Sequence, residues 1–185
     1  MAHHLIFEGS ELSGKSFTIN GVWDALEKKY NSGVGVMDGC TWFNADVGLY
    51  GTRDGWELVN HYLNIAKTLN HRNLIFEKLH LTNFIYTKQK DTAKFKSIEK
   101  ELKKLGFKVI LTTYKNDAKL LKKRLNERLQ STPSYKRIAR TPQDYLKSQK
   151  EYLKLIEQSS LPYFTVDNSK LPNYHYQRIL AWLGE

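Results

Sequence analysis

Residues 9–16 read Gly-Ser-Glu-Leu-Ser-Gly-Lys-Ser and fit the pattern Gly-x-x-x-x-Gly-Lys-Ser/Thr. That pattern carries its chemistry in one setting, directly after a β-strand and at the start of a helix. Both neighbours are present: residues 5–8 form an apolar run of strand type, and residues 15–29 have helical apolar spacing. In such a setting the glycines let the backbone curl so that successive N–H groups face a polyphosphate, and the helix N-terminus adds positive potential at the same point. Lys15 is expected to reach the β- and γ-phosphates, and the Ser16 hydroxyl to ligate Mg²⁺. The expected nucleotide-binding set is Gly9, Ser10, Ser13, Gly14, Lys15 and Ser16, with Phe17 following on the helix.

The remainder of the chain repeats the strand-then-helix order. Besides 5–8, runs rich in apolar or β-branched residues occur at 34–37, 74–77, 108–113 and 163–166. They do not alternate with polar residues, so they read as strands buried on both faces. Amphipathic stretches at 55–69, 91–105, 117–130, 142–158 and 172–183 separate or follow them. The helix at 142 has a marked start: Thr141-Pro142-Gln143-Asp144 places a capping hydroxyl before Pro, and a carboxylate three residues after the cap. The alternation predicts an α/β fold of the P-loop type. A five-stranded parallel sheet would lie between helices as a three-layer sandwich, with ligands bound at the carboxyl ends of the strands. The 185 residues suit a single domain.

Charge is distributed unevenly. Residues 88–154 hold 20 Lys and Arg against 7 Asp and Glu, whereas the rest of the chain is slightly acidic. Apolar residues recur inside the basic half at helical spacing (Phe95, Ile98, Leu102, then Leu121 and Leu125), so it is expected to fold and not to remain a solvated tail. No apolar run approaches the roughly 18 residues that span a bilayer, and no charged-then-apolar leader opens the chain, so no membrane partner is expected. Cys40 is the sole cysteine and can make neither an internal disulfide nor a Cys-rich zinc site, which points to the cytoplasm. The six histidines show no paired metal spacing and read as surface or core residues.

Phe7-Glu8-Gly9 entering the loop, with acidic Glu11 at its third position, resembles the thymidylate kinase and deoxynucleoside kinase group. Three further stretches add to the resemblance in the expected order. Glu77-Lys78, with Thr82 beyond, is similar to the family's Asp/Glu-Arg at the end of the third strand, with lysine in place of arginine. Lys123 to Arg128 resembles the Arg-x-x-x-Arg entry to a lid, and Pro162 to Asp167 resembles the fifth strand and the loop beside adenine. The resemblance implies one kinase domain over 1–185 with a basic lid at about 128–141. It also implies ATP and Mg²⁺ as cofactors, a nucleoside or nucleoside monophosphate as partner, and a homodimer through helices beside the second and third strands.

Within that resemblance Glu77 would hold Mg²⁺ through water together with Ser16, and Lys78 would meet the acceptor's phosphate. Arg124 and Arg128 lie four residues apart on one helix face, one to stack on adenine and one to face the transferring phosphoryl group. Arg137 and Arg140 could close from the lid, and Asp167 would stand beside adenine. Residues 39–55, with Trp42, Phe43, Tyr50 and Arg53, occupy the place of the nucleoside-binding elements, where aromatic rings could stack on a base, with Glu11 and Asp38 as further substrate contacts. The leading expectation is phosphoryl transfer from ATP to a deoxynucleoside monophosphate, because the chain lacks the Glu-Pro that family nucleoside kinases carry after the second strand. The alternative is a deoxynucleoside kinase in which Asp38 takes the 5′-hydroxyl proton. A second alternative, a P-loop nucleic-acid-binding protein or polynucleotide end-kinase, is prompted by the basic half alone, for which the lid already accounts. Lys15→Ala should nearly abolish phosphoryl transfer while the protein stays folded, as followed by ADP release and circular dichroism; near-normal turnover would reject the loop as the phosphate site.

Overall fold

The computed structural model describes residues 2–45, 48–170 and 175–185. The strands are β1 (His4–Glu8), β2 (Cys40–Asn44), β3 (Asn73–Glu77), β4 (Phe107–Thr113) and β5 (Tyr163–Asp167). The helices are α1 (Lys15–Tyr30), α2 (Gly55–Thr68), α3 (His80–Tyr86), α4 (Thr92–Lys104), α5 (Ala118–Ser131), α6 (Pro142–Ile156) and α7 (His175–Leu183), and a 3₁₀ turn spans Pro133–Arg137. All five strands are parallel, in the order β2-β3-β1-β4-β5. The fold is the expected α/β three-layer sandwich. None of the described helices is long and apolar enough to cross a membrane. Positions 172–174, expected to open the last helix, lie outside the described residues.

β1, β3 and β4 lack polar alternation because each covers two cores; β5, expected to be buried on both faces, is an edge strand in which only Val166 is buried. Leu5, Phe7, Ile75, Ile110 and Val166 pack against Ile19, Val22 and Leu26 of α1 and Ile179 and Leu183 of α7. Ile6, Leu74, Phe76, Val109 and Leu111 point the other way, onto Val59 and Leu63 of α2, Ile98 and Leu102 of α4 and Tyr152 of α6. The helix at 142 starts as predicted: Thr141 Oγ1 accepts from the Asp144 N–H at 3.2 Å, and Asp144 Oδ2 accepts from the Thr141 N–H at 3.0 Å.

One strand lies elsewhere than expected. Residues 34–37 are an exposed loop, with Val34, Val36 and Met37 turned to solvent, and the second strand is Cys40–Asn44. Apolar character alone does not make a strand there, because nothing packs on the loop. Cys40 to Asn44 instead pair with β3 from Asn73 to Glu77, and α1 secures the first residue, with the Trp23 indole donating to Cys40 O at 2.8 Å and Glu27 accepting the Cys40 N–H at 2.8 Å.

β1 lies between β3 and β4, where the strand order reverses, and there a crevice opens at the carboxyl ends. Gly9 enters the crevice at φ +134°, and a Cβ on it would lie 2.3 Å from Thr112 O, so only glycine fits. Across the crevice, β3 turns sharply into α3 through Lys78, a non-glycine residue at φ +66°. Two contacts from β1 hold that strained turn. Phe7 O accepts the Lys78 N–H at 2.9 Å, and the buried Glu8 carboxyl accepts the N–H groups of Leu79, Leu81 and Thr82 at 2.9–3.3 Å and the Thr82 hydroxyl. Glu8 thereby caps α3 across the sheet, where its negative charge also suits the helix dipole. Glu8→Gln removes the charge shared by these donors and, with its amide oxygen on the N–H groups, turns an NH2 towards the Thr82 hydroxyl, so it should lower unfolding stability by about 2–3 kcal/mol in urea titration. A loss under about 0.5 kcal/mol would show that Glu8 does not hold the turn.

Candidate active site

The loop of residues 9–16 is braced from four sides: β4, α6, the residue after β5, and α5. Ser13 Oγ shares a 2.7 Å hydrogen bond with Thr112 Oγ1 of β4. Ser10 Oγ donates to Tyr145 O at 3.1 Å and accepts from the Tyr114 hydroxyl at 3.0 Å. Asn168, buried just after β5, donates to Ser13 O at 2.8 Å and to Thr18 Oγ1 at 2.9 Å. Arg124 of α5 ties the ring together, donating to Leu12 O at 2.9 Å and to Asn168 O. Gly14 in the left-handed region then turns the chain into α1. Lys15 lies buried beneath the loop, donating to Gly9 O at 2.8 Å and Ser10 O at 2.9 Å. Burial, with Lys78 nearby, pulls its pKa below the ordinary lysine value, while Glu11, Glu77 and Glu8 oppose the shift.

Two cavities meet at this loop. The larger, about 820 Å³, is lined by Gly14, Lys15, Ser16, Phe17 and Glu77 on one side and by Lys123, Arg124, Arg128, Ser169 and Lys170 on the other. Ser16 Oγ donates to Glu77 Oε1 at 2.7 Å, so a hydroxyl and a carboxylate converge at the wall. These are hard oxygen donors that suit Mg²⁺. Among the described residues no cluster of three or more His, Cys, Asp and Glu side chains could enclose a metal. The smaller cavity, about 200 Å³, is lined by Tyr50, Tyr86, Tyr135, Tyr145, Thr82, Ser148 and Arg140. The Arg140 guanidinium lies 5.4 Å from the Tyr86 ring centre, and Arg128 lies 5.4 Å from that of Tyr135.

Glu11 and Lys78 line both cavities. Their side chains form an ion pair at 2.6 Å, with Lys78 buried and Glu11 partly exposed. Burial alone would raise the Glu11 pKa; Lys15, Lys78 and Arg128 outweigh it and hold the carboxyl at about 2. A carboxylate so strongly stabilised is a poor acceptor of protons.

Several expected site residues lie elsewhere. Asp38 precedes β2, at the amino end of the sheet, where it accepts from the Ser32 N–H at 2.9 Å and from the Ser32 hydroxyl; it cannot serve as a base at the carboxyl ends. Trp42 and Phe43 are partly buried strand residues packed against opposite cores, Phe43 stacked on Phe76 at 4.9 Å, and neither lines either cavity. Arg53 is fully exposed beside Asp54 and lines neither cavity. Asp167 stands behind the larger cavity, accepting from the Ser169 N–H at 2.8 Å, while Ser169 and Lys170 line it. Gly9 and Ser10 shape the loop without lining the cavity. Of the residues lining the smaller cavity, Tyr50 lies in the segment 39–55 expected to hold the nucleoside and Thr82 in the stretch after Glu77-Lys78, whereas Tyr86, Tyr135, Tyr145 and Ser148 had no local signal, since tyrosine at helical spacing reads as core.

By sequence, no protein-family model and no curated protein matches the chain. Solved structures do match in fold. The YorR protein of Bacillus subtilis, in complex with phosphorylated GDP, aligns with a TM-score of 0.66 at 16% identity, covering 97% of this chain and 95% of that one. A sugar kinase from a Janibacter species aligns with a TM-score of 0.60 at 16% identity over 100% and 95% of the two chains. Thymidylate kinase from Ehrlichia chaffeensis aligns with a TM-score of 0.57 at 10% identity over 100% and 99%. The fold is thus that of P-loop kinases.

Since the folded-state pKa of Glu11 lies below its ordinary 4.5, its charge stabilises the fold above about 4.5, and that contribution is lost as pH falls through about 2. Carboxyl NMR titration should place the Glu11 midpoint near 2 and move it upward in Lys78→Met; a midpoint near 4.5 in the unaltered protein would contradict the pairing.

Proposed function

We propose that the protein is a kinase that transfers the γ-phosphoryl group of ATP to a deoxynucleoside monophosphate, with Mg²⁺ as cofactor. The observation that carries this reading is the Glu11–Lys78 pair, which lines both cavities at the point where they meet. A phosphoryl group moving from a donor in one to an acceptor in the other passes this pair.

The donor side follows from the loop. Its backbone N–H groups and the α1 N-terminus take the polyphosphate, Lys15 neutralises its terminal phosphates, and Arg128 supplies a further cation from α5. Ser16 and Glu77 would hold Mg²⁺, which when bound draws charge from the β- and γ-oxygens. Arg124, Lys123, Arg128 and Arg140 all border the cavities, so part of the basic half is turned towards phosphate within the molecule and needs no nucleic acid to explain it.

The acceptor side follows from the tyrosines. Four tyrosine rings and an arginine stacked on one of them suit a planar base better than a free sugar, which would call for many more polar contacts. The choice between a hydroxyl and a phosphate acceptor rests on charge. A 5′-hydroxyl must give up a proton, yet Glu11 is held at about 2, Glu77 is engaged by Ser16 and Asp38 is at the far end of the sheet. A monophosphate needs a cation at the junction, and Lys78 is there.

A coupled ADP-release assay over deoxynucleosides, their monophosphates and free sugars tests the reading. Turnover should be confined to monophosphates, and Lys78→Ala should raise the apparent KM for the acceptor by about tenfold or more while the KM for ATP changes little. Turnover of free deoxynucleosides with inert monophosphates would overturn it.

A further inference from the structure

In the smaller cavity most polar side chains are already committed within the protein. The Thr82 hydroxyl is shared between Glu8 and the Tyr152 hydroxyl. Asp144 closes the cap of α6 with Thr141. The Tyr145 hydroxyl accepts the Arg140 N–H at 3.0 Å and meets the Tyr135 hydroxyl at 3.2 Å, and Tyr50 donates to Lys78 O. Ser148 differs. It lines the cavity from α6, is 9% exposed, and its Oγ is buried with no hydrogen-bond partner.

A serine inside a helix ordinarily satisfies its hydroxyl by bonding back to the carbonyl four residues earlier. Ser148 does not, although the Asp144 carbonyl stands at that position. A buried hydroxyl without a partner is uncommon in folded proteins and calls for an explanation, one being a ligand that completes it. Ser148 lies one helical turn beyond Tyr145, and both residues line the same cavity; the Ser148 Oγ is itself covered, so a turn about χ1 is what would bring the hydroxyl to the space suited to a flat aromatic ligand.

We propose that Ser148 determines acceptor specificity by hydrogen bonding a polar edge atom of the acceptor's base. The inference rests on the smaller cavity being the acceptor site. One hydroxyl among tyrosine rings reads a single edge position, so bases that present a matching group there are favoured over bases that do not, whatever their size. The effect is confined to the acceptor, because Ser148 does not line the cavity that holds the phosphate loop.

The test is Ser148→Ala with Ser148→Thr as the variant that keeps the hydroxyl, each assayed by ADP release against a panel of deoxynucleoside monophosphates of different bases. Ser148→Ala should lower kcat/KM for the best acceptor by about tenfold, leave poorer acceptors nearly unchanged and so flatten the ranking, with the KM for ATP unaltered. Ser148→Thr should retain the ranking. Without acceptor, the melting temperature of Ser148→Ala should equal or exceed that of the unaltered protein, because a buried unbonded hydroxyl is gone. An equal fall for every acceptor, an unchanged ranking, or a lowered melting temperature without acceptor would overturn the assignment. Failure of the underlying reading shows separately, as absent turnover of any monophosphate by the unaltered protein.

Discussion

A carboxyl group at the end of β1 organises the far side of the crevice. Glu8 is buried and spends its oxygens on the N-terminus of α3, a helix of seven residues that has no cap of its own. By anchoring Leu79, Leu81 and Thr82 it determines where β3 must turn, and the turn in turn sets Lys78. A non-glycine residue at φ +66° costs about 1–3 kcal/mol, and only surroundings as constrained as these sustain it. The loop of residues 9–16 and Lys78 are therefore positioned by two adjacent residues: Glu8, the last of β1, fixes the turn, and Gly9 begins the loop.

The electrostatics of the junction follow from that geometry. Lys15, Lys78 and Arg128 surround Glu11, and their combined field outweighs the burial that would otherwise neutralise it. Lys15 is disfavoured as a cation by the same burial and by Lys78, so the loop carries positive charge that a polyphosphate would relieve. Glu11 balances part of this charge. A nucleotide supplying more negative oxygens competes for the same lysines, so the pair can exchange one partner for another without leaving a buried charge alone.

Much of this was legible beforehand, for identifiable reasons. β1, β3 and β4 are apolar on both faces, β5 forms where its run predicts although it is an edge strand and mostly exposed, and the loop of residues 9–16 sits where its pattern places it. The capping box at Thr141 is local, and local signals were read correctly. What was missed depended on distant contacts. Residues 34–37 look more strand-like than Cys40 to Asn44, but pairing with β3 and contacts from Trp23 and Glu27 decide for the latter, and Asp38 is displaced to the wrong end of the sheet as a consequence. Helix α3 was invisible because its cap comes from Glu8, some 70 residues earlier in the chain. Of the tyrosines of the smaller cavity, Tyr50 fell within the segment 39–55 already singled out, but those from α3, the 3₁₀ turn and α6 have nothing in their local pattern that separates them from the tyrosines of the core.

The central claim is that the two cavities are donor and acceptor sites joined at Glu11 and Lys78. It is tested most directly by a crystal structure with a compound linking adenosine to a deoxynucleoside through a polyphosphate bridge, which occupies both sites at once. The account predicts phosphates running from Lys15 past Lys78, with the second base among Tyr50, Tyr86 and Tyr145. A second nucleoside lying outside that cavity, with Lys78 still paired to Glu11 and touching no phosphate, would contradict it.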